Sequence, residues 1–149
     1  MRENYKFPIT MWLSSRLLIV VAMLIIAPLI PVPENGVYAT FSLDILSAWD
    51  SSWYEKIATY GYDFSSDVKQ IHTVAFFPLF PLLTRVLMTI GLPFKVAGTL
   101  VNNIAFLAAL IVLYFWAEEL YGQKAARWAT AILAEVLNVR KRLKKSTII

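Results

Sequence analysis

Apolar residues in this chain come in blocks rather than in stripes. Leu17 to Val32 carries no charged side chain, and neither does Val96 to Ala117. At about 1.5 Å per helical residue the second block spans roughly the 30 Å of a bilayer's hydrocarbon core. A long helix on a soluble core would show a polar stripe, and this block has none. The pattern predicts a first membrane span over residues 11–31, ended by Pro28, Pro31 and Pro33, with Arg16 close enough to its start to snorkel. A second span over 73–92 is interrupted by Pro78, Pro81 and Arg85, and a third covers 96–117. An incomplete fourth covers 125–139, where Glu135 cuts the apolar run short. Asn102 and Asn103 within the third are expected to hydrogen-bond to neighbouring helices. Residues 32–72 form a loop and residues 140–149 a basic tail. The expected fold class is therefore all-α: a polytopic membrane protein of about three or four transmembrane helices.

Composition supports that reading. Hydrophobic residues make up 58% and charged residues 16%, whereas soluble domains carry about 45–50% and about 25%. The net charge of +4 gathers at the ends, in Arg2, Lys6 and Arg16 and in Arg140, Lys141, Arg142, Lys144 and Lys145. Basic runs beside apolar helices mark cytoplasmic flanks. The expected partners are thus membrane lipids, and no nucleic acid. The chain has no cysteine, which excludes disulfides and thiolate metal sites and leaves the redox compartment open. The first block exceeds a signal-peptide core of about 7–15 residues and lacks a small-residue cleavage site, so it reads as a retained helix.

A cytoplasmic N-terminus puts residues 32–72 on the far side of the membrane. The loop is acidic, with Glu34, Asp44, Asp50, Glu55, Asp63 and Asp67 against Lys56 and Lys69. Three crossings would leave the basic tail outside, against the positive-inside rule. A fourth crossing would bring it back, so either the fourth segment is incomplete here, or one proline-broken segment dips in without crossing.

The loop also holds the chemistry. Ser52 and Glu55 have capping-box spacing, and Gly61 supplies a helix stop. They predict a short helix over 53–60 lying along the membrane surface. Asp50 then sits on the turn ahead of it, where backbone N–H groups favour the ionised carboxylate. Such a carboxylate can take the proton of a hydroxyl that attacks a sugar C1. Trp49, Trp53 and Tyr54 offer flat apolar faces to a sugar ring or an isoprenoid chain. The plainer reading makes Asp50 a cap and the aromatics interface anchors, as for Trp12 and Trp116. An arginine inside an apolar span costs about 2.5–3.5 kcal/mol, so Arg85 needs a task or a partner. Its guanidinium suits a phosphate, unless it snorkels to the cytoplasmic face. His72, the single histidine, makes no metal site alone, and no metal or cofactor is expected.

The run Trp49-Asp50, Trp53-Tyr54, Ile57-Ala58 and Gly61-Tyr62, followed by Ala75-Phe76-Phe77-Pro78-Leu79-Phe80-Pro81-Leu82 and Arg85, resembles the PIG-V-type mannosyltransferases. That family includes the enzyme adding the second mannose to the glycosylphosphatidylinositol precursor. The resemblance implies a GT-C fold with a catalytic acidic residue in the first extracytoplasmic loop. It implies inverting transfer from a polyprenyl- or dolichyl-phosphate-mannose donor. Asp50 matches the catalytic position, and Trp49, Trp53, Tyr54, Tyr62 and Arg85 are the expected substrate-binding residues. The implied location is multi-pass: the plasma membrane in a prokaryote, the endoplasmic reticulum in a eukaryote. The resemblance covers about Trp12 to Ala134, and family members continue through further spans. The tail from Glu135 onward matches nothing expected of them, so the chain reads as a truncated N-terminal portion. The rival reading is a catalytically inactive membrane remnant or small interaction protein. A transporter or channel subunit ranks last, because only Arg16 and Arg85 would line its spans.

Overall fold

The computed structural model describes residues 5–26, 29, 50–63 and 73–143, with side chains as far as Glu135. Trp49, His72, the remainder of the 32–72 loop and the side chains of the basic tail lie outside the described residues. The elements among the described residues are all helices: α1 (Lys6–Val21), continued by a π-helical turn (Ala22–Ile26), α2 (Ser51–Tyr60), α3 (Leu79–Thr89) and α4 (Phe94–Leu143). A 3₁₀ turn (Thr73–Ala75) stands ahead of α3. Two stretches, Lys6–Ile25 and Phe94–Glu135, are long and apolar enough to cross a membrane. The helices sort into two compact units, Met1–Glu34 with Ile104–Ile149, and Asn35–Asn103.

The sequence expects a second span over 73–92. The helix found there is α3, 11 residues long, which reaches only about 16 Å. The prolines start this helix rather than break it. Pro78 is its N-cap residue and Pro81 lies in its first turn, where a missing N–H costs nothing. Its end is a Schellman motif. Gly91 adopts φ 93, and its N–H donates to Met88 O at 3.0 Å while that of Leu92 donates to Leu87 O at 3.4 Å. Only glycine takes that left-handed conformation readily.

In the first unit, contacts fix the helix directions. Phe7 meets Tyr114 with ring centroids 5.9 Å apart, and Arg16 lies 4.8 Å from the centre of the Phe106 ring. Moving forward along α1 therefore moves backward along α4, so these stretches are antiparallel. Phe7 also meets the Arg127 guanidinium at 5.6 Å, and Ser14 donates to Glu135 Oε1 at 3.1 Å. The arm of α4 beyond Gly122 thus runs parallel to α1.

Gly122 makes the reversal. Its φ 81 and ψ 169 interrupt the helix, in a region that is essentially glycine-only. Tyr114, Ala117 and Ala126 pack as one buried cluster, although a straight helix would hold Tyr114 and Ala126 about 18 Å apart. The chain folds back on itself, giving a three-stretch bundle.

Three polar side chains on these helices have identifiable neighbours. The helix runs on through Glu135 to Leu143, and the Glu135 carboxylate is half-buried and bonded to Ser14. Arg16 lies about 15 Å into α1, by the rise per residue, and packs on Phe106. Asn103 donates within its own helix, to Thr99 O at 2.7 Å.

Substituting Gly122 by alanine tests the reversal. A Cβ there would meet no atom within 4 Å, so the penalty is backbone strain alone, about 1–3 kcal/mol. Thermal unfolding in detergent should show a lowered midpoint with helical content retained.

Candidate functional site

The second unit contains both motifs singled out in the sequence. α2 begins at Ser51, two residues earlier than the capping-box reading predicts, with Asp50 as its N-cap residue. Asp50 has φ −70 and ψ −1, whereas a capping side chain is presented from extended backbone. Its carboxylate accordingly accepts no cap hydrogen bond. Its main-chain carbonyl accepts from the Trp53 and Tyr54 N–H groups instead, at 3.1 and 3.2 Å. The side chain is exposed at the helix N-terminus, where the unsatisfied N–H groups favour negative charge. At the other end the Gly61 N–H donates to Ile57 O at 2.9 Å; Gly61 has φ 89, so the glycine stop expected from sequence is present.

α2 packs by the face carrying Tyr54, Ile57 and Ala58; the latter two are buried while Tyr60 is 83% exposed. Its partner is the segment leading into α3. Trp53 stacks on Phe76, centroids 6.0 Å apart at 19°. Tyr54 meets Phe76 and Phe80 edge-on, both at 5.2 Å. Offset and edge-to-face pairs align the rings' positive edges with negative faces, and each adds about 0.5–1.5 kcal/mol beyond burial. Phe80 is held from behind by Gly98, whose missing Cβ would come 3.2 Å from its Cζ.

Hydrogen bonds close the same corner. Tyr62 Oη donates to Phe76 O at 2.9 Å. The Asp63 N–H donates to Thr73 Oγ1 at 2.6 Å, and that buried hydroxyl donates back to Asp63 O at 3.1 Å. The two ends of the intervening segment are thereby fastened together. Lys56 pairs with Asp63 at 3.3 Å and lies 6.0 Å from the Trp53 ring centre. Both charged side chains are well exposed, so the pair contributes little to stability.

The expected site residues are thus distributed unevenly. Trp53, Tyr54 and Tyr62 converge on Phe76, and Asp50 stands one turn ahead of Trp53. Trp49 lies outside the described residues. Arg85 is exposed on α3, and no hydrogen bond or ion pair among the described residues joins it to Asp50. Sequence reasoning missed Phe76 and Phe80 as members of the corner. Their signal was present as the second half of the family-like motif, but nothing in its spacing says that its rings meet Trp53 and Tyr54. No group of three potential metal-ligating side chains occurs among the described residues. No family model, curated protein or solved structure matches this chain.

Replacing Phe76 by leucine removes the ring shared by Trp53 and Tyr54. A double-mutant cycle with Tyr54→Leu, read by thermal unfolding, should return a coupling of about 0.5–1.5 kcal/mol. Purely additive losses would mean that the rings are neighbours without mutual stabilisation.

Proposed function

We propose that this chain is a multi-pass membrane glycosyltransferase of the PIG-V type, carrying the front part of a GT-C fold. It transfers mannose from a polyprenyl-phosphate-linked donor to an extracytoplasmic acceptor. The observation that carries this reading is the meeting of the two family-like motifs in one corner. Trp53 and Tyr54 of the first motif pack on Phe76 and Phe80 of the second, with an uncapped, exposed carboxylate at the adjoining helix start.

In the proposed step the acceptor hydroxyl oxygen forms a bond to mannose C1 from the face opposite the donor phosphate. The C1–O bond to the phosphate breaks, and its electron pair leaves with the lipid phosphate. Asp50 takes the hydroxyl proton, which a positioned carboxylate can do with about a 10²–10⁴-fold effect on rate. Tyr62 and the exposed edge of the Trp53–Tyr54 corner border the sugar, with Trp49 next to Asp50 in sequence. Arg85 is the cation assigned to the donor phosphate, as a planar guanidinium suits paired phosphate oxygens.

Membranes carrying a full-length relative should transfer labelled mannose from polyprenyl-phosphate-mannose, and an Asp→Asn change at the position matching Asp50 should lower the rate at least about 100-fold with expression unchanged. Undiminished transfer by the variant would remove Asp50 from the mechanism. The location of the corner is tested separately. The chain has no cysteine, so Ser52→Cys gives a single thiol on the exposed side of α2. A membrane-impermeant maleimide added to intact cells or sealed lumen-out vesicles should label it. Labelling only after permeabilisation would put the corner on the cytosolic side and defeat the assignment.

A further inference from the structure

Beside the Gly122 reversal, the first unit holds a recess that the proposed glycosyl transfer does not use. A cavity of about 360 Å³ is lined by Phe7, Gln123, Lys124, Arg127, Trp128 and Ala131. Its volume falls at the low end of small-ligand sites. We propose that this cavity binds the phosphate headgroup of an anionic membrane phospholipid, with Lys124 and Arg127 as the phosphate-binding cations.

The wall chemistry divides in two. Lys124 and Arg127 are exposed and lie on the first turns after Gly122, separated by the spacing that puts two side chains on one helix face. Phe7, Trp128 and Ala131 supply the apolar remainder, and Trp128 is 64% exposed. The Arg127 guanidinium lies 5.6 Å from the centre of the Phe7 ring, which orients its planar fork while leaving N–H donors for an acceptor. Arginine binds phosphate through paired hydrogen bonds and lysine as a point charge, so together they suit a phosphodiester.

The depth of the cavity selects the lipid. Phe7 is the second residue of α1, which starts an apolar stretch of 20 residues (Lys6–Ile25). A site at the start of such a stretch lies at headgroup level, not in hydrocarbon. Exposed Tyr5 and Tyr121 stand beside the same end of the bundle, as interfacial aromatics do. Glu118 and Glu119 precede the reversal on the other arm and take no part in the cavity wall. The inference is independent of the glycosyltransferase reading, which concerns the second unit.

The test uses the intact chain in neutral detergent, with native mass spectrometry of retained lipid. Phosphatidylglycerol and phosphatidylcholine of identical acyl chains are compared. With about 1 kcal/mol for each cation near anionic lipid, two cations predict retention about thirtyfold in favour of phosphatidylglycerol. Lys124→Gln and Arg127→Gln should each lower it about fivefold, while Arg127→Lys keeps most of it. Unchanged circular dichroism verifies that these exposed substitutions leave the bundle folded. Equal retention of the two lipids, or retention indifferent to both substitutions, would overturn the proposal. Displacement of phosphatidylglycerol by equimolar inorganic phosphate would also overturn it, by assigning the cavity to a soluble phosphate.

Discussion

Hydrocarbon offers the backbone no hydrogen-bonding partner, so whatever enters it must find its partners within the chain. That constraint fits the helical build of the two stretches long and apolar enough to cross a membrane, and the way polar side chains turn back on their own helices. Thr84 donates to Phe80 O at 2.8 Å, Thr99 to Lys95 O at 2.8 Å and Asn103 to Thr99 O at 2.7 Å, each one turn back along its own helix. Glu135 would be costly alone in lipid; it accepts from Ser14 on the neighbouring helix. Arg16 shelters its guanidinium against a phenylalanine ring, a cation–π arrangement that gains strength where water is absent. At these positions a polar residue within an apolar stretch fastens that stretch to itself or to another.

The second unit uses a different economy. Its helices are short, and α2 is too polar for its own packing to hold it. What fixes α2 is a small set of rings and a pair of main-chain closures. Phe76 serves twice, as a ring against Trp53 and Tyr54 and as a carbonyl accepting from Tyr62. Thr73 serves twice through one hydroxyl. Because these ties act on the middle and end of α2, the start of that helix is positioned without using the Asp50 side chain. A carboxylate spent on capping would be held by its own backbone N–H groups; this one makes no cap hydrogen bond and is exposed.

Helical class, apolar blocks and the Gly61 stop were legible because each depends on local chemistry that sequence displays directly. The rest was hidden by ambiguity of the same symbols. Pro78 and Pro81 read as breaks in an apolar run, yet a proline is equally at home in the first turn of a helix, and only the position of that turn decides between them. Gly91 and Gly122 are both isolated glycines, but one closes a Schellman motif and the other reverses a chain. Their φ values are not written in their neighbours. Ser52 and Glu55 had the spacing of a capping box, while α2 starts two residues earlier, at Ser51, with Asp50 as its N-cap residue. In the candidate corner, Trp53, Tyr54 and Tyr62 were visible as a cluster; Phe76 and Phe80 were visible as a motif; their meeting was not, since it depends on how the chain between them folds.

Charge placement completes the picture of orientation. The arm beyond Gly122 has cations at both ends in sequence, Lys124 and Arg127 at its start and Arg140, Lys141 and Arg142 near its end, so counting them orients nothing. Arg127 meets Phe7 at the beginning of α1, where Lys6 opens the apolar stretch, so three cations from two separate helices gather at one end of one bundle. The positive-inside rule weighs charge close to the ends of crossing helices, and this end carries the N-terminal flank as well. Among the described residues, then, packing rather than order along the chain gathers cations at one end of the bundle, and that end is also where the cavity wall lies.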